Sequence, residues 1–160
     1  MTMATPQGAG AATDGAEGRR PAPPKPMPVI ENKGLTAPFW EGAKRHELMM
    51  QRCKTCSNFI FYPREQCPTC FSQDLEWQQV SGKGRVYAYT NVYQPAHPGF
   101  NDEAPYCFAV VQLEEGNLRM PTNIVGIAPD DVRVDMPVVV EFDDVSADWT
   151  LVKFRPAPSP

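Results

Sequence analysis

Four of the five cysteines fall in one short stretch, "CKTCSNFIFYPREQCPTC" at residues 53–70. They form two Cys-x-x-Cys pairs, Cys53 with Cys56 and Cys67 with Cys70. Thiols spaced i, i+3 across a tight turn can reach one ion. Two such turns complete a tetrahedral set of four thiolates with zinc–sulfur distances of about 2.3 Å. Polar pairs, Lys54-Thr55 and Pro68-Thr69, fill the two knuckles, and the run Phe59 to Tyr62 suits a hairpin strand between them. Four thiolates leave no position for water or substrate, so a structural ion is expected, one Zn2+ per chain. Iron in a rubredoxin-like site would satisfy the same ligands. Two disulfides, or reduced thiols in a core, are the metal-free alternatives. An ion would also supply folding free energy that a lobe with so few apolar residues lacks.

Other reactive groups are sparse. Cys107, in "APYCFAVVQL", lies on a predicted strand and reads as a buried, inert thiol, because a nucleophile needs a neighbouring base and the chain has only two histidines. His97 stands in the Pro/Gly loop "QPAHPGF", where it could line a ligand site or be solvated. His46 falls at a predicted helix end, where the dipole favours it. The sequence carries no paired acid and base, no phosphate loop and no open metal site, which disfavours an enzyme in its own right.

The elements that must position these groups follow from composition and period. At 160 residues the chain has room for one domain, or two small ones sharing an interface. Residues 1–30 are Ala, Gly and Pro with almost no large apolar side chain before Met27, so a disordered tail is expected there and a shorter one at 157–160. Thr36 is a plausible helix N-cap with Pro38 in the first turn, Phe39, Ala43 and His46 along one face, and an end near Glu47. "LMMQRC" then reads as a strand entering the first knuckle. Helix and ribbon are assigned to 35–71.

From residue 72 to 156 the pattern becomes β-rich. Runs flank Ser81-Gly82-Lys83-Gly84, a hairpin turns at Glu115-Gly116-Asn117, and "MPVVVEFDDV" and "TLVKFRP" are separated by "SADW". Five to six short strands without a helix predict a small closed barrel. The fold class is therefore mainly β: a short N-terminal helix, a four-cysteine zinc ribbon and a five-stranded barrel of the oligonucleotide/oligosaccharide-binding (OB) type. An SH3-like barrel is the alternative.

Charge divides the chain. Residues 1–70 hold 9 Lys+Arg against 6 Asp+Glu, a balance of +3, whereas residues 71–160 hold 6 against 13, a balance of −7. An acidic barrel repels phosphate, which disfavours nucleic acid although Tyr87, Tyr89, Tyr93 and Phe108 could stack bases. Aromatics alternating on strands also read as barrel core. Basic residues gather on the helix and ribbon instead, at Lys44, Arg45, Arg52, Lys54 and Arg64, beside Phe39 and Trp40. That composition fits a binding patch, or two aromatics packed on the barrel below a solvated charged face. No stretch is apolar enough to span a bilayer and no secretory signal is evident, so no membrane role and a cytoplasmic location are expected.

Taken together, "FWEGAKRHELMMQRC", the paired knuckles, "GKGRVYAYTNVYQPAHPGF", "APYCFAVVQLEEGNLRMPTNIVG" and "DVRVDMPVVVEFDDV" with "TLVKFRP" resemble the zinc-ribbon/OB-fold family catalogued as domain of unknown function 35. The resemblance runs from about Leu35 to Pro156. It implies an auxiliary, non-catalytic subunit of a thiolase-superfamily protein, with acyl-CoA at the shared interface. The reactions it implies are condensation, thiolysis, acyl transfer or retro-aldol cleavage of steroid side chains. By that similarity Phe39, Trp40, Lys44, Arg45, Arg64, His97 and Phe100 are candidates for partner or CoA contact. A free-standing acyl-CoA-binding module is the alternative from another class, and a nucleic-acid adaptor a third.

Overall fold

In the strand Tyr106–Leu113 (β5), Cys107, Ala109, Val111 and Leu113 are buried while their neighbours are not, the period-2 pattern of a strand with one face on a core. Arg119–Ile124 (β6) repeats it with Met120, Thr122 and Ile124 inward. Lys83–Val92 (β4), Pro137–Asp144 (β7) and Thr150–Pro156 (β8) complete a closed barrel in the order β4-β5-β6-β8-β7. Only β6 and β8 pair in parallel; every other barrel pair is antiparallel. This Greek-key order, with first strand closing on fourth and third lying beside fifth, is the OB arrangement and removes the SH3-like alternative. The computed structural model describes residues 23–26, 33–116 and 118–158.

The remaining strands, Met49–Cys53 (β1), Phe59–Ile60 (β2) and Leu75–Gln79 (β3), form a separate sheet in the order β2-β1-β3. The β-rich run "LEWQQV" reads as barrel from sequence, yet β3 pairs with β1 over five residues, from Met49↔Gln79 to Cys53↔Leu75. The change from ribbon to barrel therefore falls between β3 and β4, later than the expected boundary at 71/72. Gly82 occupies that junction at φ +69, where a Cβ would collide with Val140 Cγ1, so only glycine fits. The lobes still share one core. Phe39, Leu48 and Met50 belong to the same buried cluster as Val86, Val111, Val138 and Phe154.

The helix Lys33–Lys44 (α1) begins and ends earlier than its sequence signals suggest. Thr36 lies inside it rather than capping it, and Pro38 is also interior. Pro38, the sixth helical residue, has no N–H to give the Gly34 carbonyl, so the helix forgoes that bond. The stop is His46, left-handed at φ 60. Its N–H bonds Ala43 O, and Glu47 N–H bonds Gly42 O, each at 2.9 Å, which is the Schellman pair. His46 thus leaves the helical face shared by the buried Phe39 and Ala43. Its ring stacks on Phe142 at 5.1 Å and its Nε2 donates to Asp144 Oδ2 at 3.1 Å, tying the helix end to β7.

Of the expected N-terminal tail, only 23–26 is described, and it lies on the barrel side: Lys25 pairs with Glu103 and stands over the Phe100 ring. The rest of residues 1–30 lies outside the described residues, as do 159 and 160 of the C-terminal tail. No helix among the described residues is long and apolar enough to cross a membrane.

These joints can be tested separately. Gln51 is 4% exposed, and its amide both donates to Arg64 O (3.0 Å) and accepts from Arg64 N–H (2.8 Å). Gln51→Leu strands both backbone groups and should destabilise the chain by about 1–3 kcal/mol in denaturant titration. Asp144 is held below the usual carboxylate range by the Thr150 hydroxyl first and His46 second. A lowered carboxyl stabilises the fold above its unfolded pKa and loses that contribution as pH falls through the folded value. The stability of Asp144→Asn should therefore fall less than wild type below about pH 4, measured by melting temperature against pH.

Candidate metal centre and the adjoining clefts

Two equivalent backbone knuckles hold the cysteines. Cys53 N–H bonds Asn58 O and Ser57 N–H bonds Cys53 O; Cys67 N–H bonds Ser72 O and Phe71 N–H bonds Cys67 O, all within 2.8–2.9 Å. Ser57 (φ 61) and Phe71 (φ 59) each follow the second cysteine in the left-handed region. Neither is glycine, so this half of the motif is silent in the sequence. Side chains then tie one knuckle to the other: Asn58 Nδ2 donates to Thr69 Oγ1 at 2.6 Å, and Thr55 Oγ1 to Ser72 Oγ at 2.8 Å.

The four Sγ atoms lie within 4.8 Å of one another, with Cys53–Cys70 and Cys56–Cys67 at 3.5 Å. Sulfurs on a tetrahedral ion at about 2.3 Å stand about 3.8 Å apart, so the cluster has the dimensions of a metal site. No disulfide joins them. The N–H of Cys70 and then of Thr69 pull the Cys67 thiol down to about 6, and the N–H of Cys56 lowers that of Cys53. Cys70 is pushed up to about 12 despite the Ser72 N–H, by burial and the neighbouring sulfurs, and Cys56 is also raised, against the Asn58 N–H. Four sulfurs at this spacing cannot all ionise together unless a cation sits among them. The residues present therefore fit the ion. Beneath it Cys53, Ile60 and Cys67 form a small buried cluster with Leu75, too few apolar groups to fold the lobe alone.

The other sequence candidates separate. Phe39 is 7% exposed and belongs to the core. It packs edge-on to Trp40 at 5.1 Å and faces Phe61 at 6.1 Å. Trp40 in turn meets Trp149 at 5.7 Å. With Tyr62, Phe108, Met120 and Leu151, the rings of Phe39, Trp40 and Phe61 line a cleft of about 350 Å³ between α1, ribbon and barrel. Phe100 lines a different cleft of about 890 Å³, with Lys25, Tyr106 and Cys107. His97 is exposed and caps the 3-10 turn Pro98–Glu103, its Nδ1 accepting from Gly99 N–H at 3.0 Å. Lys44 borders a third hollow with Asp144 and Thr150. Arg45 is paired with Glu47, whereas the Arg64 side chain is exposed with no ion pair among the described residues. The candidates thus do not converge on one site. Cys107 is 1% exposed, and burial pushes its thiol pKa up, as an inert core thiol requires.

The strand aromatics are not the barrel core. Tyr87 is 48% and Phe108 42% exposed. A bulge between Val86 and Ala88 breaks the alternation and leaves Tyr87 outside, with Arg119 stacked 3.6 Å from its ring centre. Register then places Ala88–Val110–Pro121 and Thr90–Phe108–Asn123 as rows on one outer face. The β4 part of this face had no signal in the sequence, because nothing in the run itself marks the bulge.

Removing a ligand tests the centre. Cys56→Ser or Cys67→Ser should drop zinc from one ion per chain to near zero by plasma mass spectrometry and open residues 53–75 to protease. Unchanged zinc content and stability in either variant would overturn the four-cysteine assignment.

Two family models match in tandem: the ChsH2 rubredoxin-like zinc ribbon domain over residues 40–76, and the ChsH2 C-terminal OB-fold domain over residues 77–143. A "Probable enoyl-CoA hydratase alpha subunit" of Thermomonospora curvata is 40% identical over 140 residues, covering 87% of this chain and 42% of the relative. The chain thus spans about two fifths of that subunit. A "DUF35 domain-containing scaffold protein" of Methanocaldococcus jannaschii is 39% identical over 121 residues, 75% of this chain and 84% of the relative. The "Benzoylsuccinyl-CoA thiolase subunit BbsA" of Geobacter metallireducens is 36% identical over 75 residues, 47% of this chain and 48% of the relative. Among solved structures, the "Ltp2-ChsH2(DUF35) aldolase" matches with a TM-score of 0.73 and 39% identity, covering 82% of this chain and 100% of that one. The ribbon match assigns zinc to the four cysteines, where the ligand set by itself also admitted iron. The chain belongs to the DUF35 family, a zinc ribbon joined to an OB-fold barrel.

Proposed function

We propose that this chain is a zinc-stabilised, non-catalytic subunit that docks on a thiolase-superfamily enzyme and helps form its acyl-CoA channel. The observation that carries the reading is the outer face of β4, β5 and β6. There Tyr87, Phe108, Val110 and Pro121 stand on the barrel exterior, and exposed Tyr62 of the ribbon borders the same cleft as Phe108. Aromatics beside an Arg, here Arg119 on Tyr87, have the composition of an interface core rather than of a free surface. The relatives' names support it, since they describe subunits, scaffolds or an aldolase complex.

Catalysis is assigned to the partner because, among the described residues, no hydroxyl or thiol is hydrogen-bonded to a histidine base. Cys107 Sγ donates to the Phe108 carbonyl, and His46 and Thr150 both direct their bonds to Asp144. Of the candidate cations, Lys44 and Arg64 are exposed and without ion pairs among the described residues, which leaves them for CoA phosphates; Arg45 is engaged by Glu47 and Phe39 by the core. A subunit of this kind works where its partner does, in the cytoplasm.

Affinity purification of the tagged full chain from its host, read by mass spectrometry, should recover a thiolase-superfamily protein. Tyr87→Asp with Phe108→Asp should weaken that complex at least about tenfold at unchanged melting temperature, the effect of losing central aromatic anchors. Recovery of no such protein, or equal binding by the double variant, would overturn the reading.

A further inference from the structure

We propose that the seam between β6 and β8 seats the apolar acyl portion of a CoA thioester and leaves its phosphates outside. This rests on the reading of the chain as part of an acyl-CoA enzyme. The two strands run parallel and share one register pair, Ile124↔Phe154. Towards their N-terminal ends Thr122 Oγ1 bridges the pair by donating to Val152 O at 2.9 Å. Both clefts open along this line and share Asn123, Leu151 and Lys153. The smaller, of about 350 Å³, is within the range of small-molecule sites, with Trp40 and Phe61 on one side and Phe108 and Met120 on the other.

The polar groups along the seam are already committed. Thr122 serves Val152, Asn123 Nδ2 donates to Cys107 O at 3.3 Å, and Lys153 Nζ bonds Asp143 at 2.5 Å. Lys25, on the wall of the larger cleft, pairs with Glu103. Among the described residues neither cleft presents an unpaired cation, so a phosphate or carboxylate has no anchor there and bears its full desolvation cost. A neutral hydrocarbon chain loses nothing by entering and buries apolar area against Trp40, Phe61 and Leu151. Gly99 keeps the larger cleft's wall close, since a Cβ there would stand 2.9 Å from Lys25 Cα.

Trp40 is a reporter built into the seam. Titration of the full chain with butyryl-, hexanoyl-, octanoyl- and decanoyl-CoA should give a saturable fluorescence change that Trp40→Phe removes. Affinity should rise about two- to fourfold for each added methylene, and free CoA should not compete. Asn123→Phe, which fills the shared segment, should weaken decanoyl-CoA at least tenfold at unchanged zinc content and melting temperature. Leu151→Ala, which only widens the seam, should weaken it severalfold and covers the case in which the first variant misfolds. Sodium decanoate separates the sources: weaker binding than the ester assigns the thioester to the site, equal binding assigns the chain alone, and both uphold an acyl seat. Affinity independent of chain length, competition by free CoA, or no binding at all would overturn the proposal. Such a failure leaves a recovered thiolase-like partner standing. Chain-length-dependent binding without any recovered partner would instead retain the seam and defeat the subunit reading.

Discussion

Four thiolates cannot share one small volume without a cation, and the placement of every other functional feature depends on that constraint. The lobe that supplies the cysteines has only Ile60 and Leu75 as apolar support at its centre. Zinc therefore does for residues 53–75 what a hydrophobic core does for the barrel. Once the knuckles are fixed, β1 is fixed between β2 and β3, and the buried Gln51 holds the loop at Arg64. Phe61 and Tyr62, on that same loop, are thereby held where they wall the smaller cleft.

The barrel contributes the opposite kind of surface. Its interior is closed by small and medium residues, Val86, Ala109, Val111 and Val138 around Phe154, while its larger aromatics stand outside. The two larger clefts lie on the outside of this barrel, along β6 and β8. Helix α1 covers the seam from one side, anchored by Phe39 in the common core and by the His46–Asp144 contact at its end. Lobe and barrel thus behave as one unit with a cleft at the joint, which is what a subunit needs if it is to present a fixed wall to a partner's substrate.

Much of this was legible in the residues. The cysteine spacing is a local signal, and the strand alternation in "YCFAVVQL" survives any tertiary context because both faces of β5 keep their environment. What was not legible depends on distant partners. The run "LEWQQ" reads as barrel by its β-rich composition, and only its pairing with β1 moves it to the ribbon. The helix stop at His46 lacks the usual glycine, and its left-handed turn leans on Phe142 and Asp144, about a hundred residues away. The bulge at Tyr87 shifts the alternation of β4, so that Ala88 and Thr90 join Val110 and Phe108 on the outer face. The smaller cleft draws on α1, β5, β6, β8 and the ribbon together, so no segment of sequence announces it.

The central claim is that the outer face of β4, β5 and β6 is covered by an enzyme. Hydrogen exchange on the full chain, alone and with its purified partner, tests it most directly. The account predicts slowed exchange in residues 85–92, 106–112 and 119–123 and around Tyr62 on complex formation, with β7 unchanged. Protection confined to β7, or none in a complex shown to have formed, would contradict it.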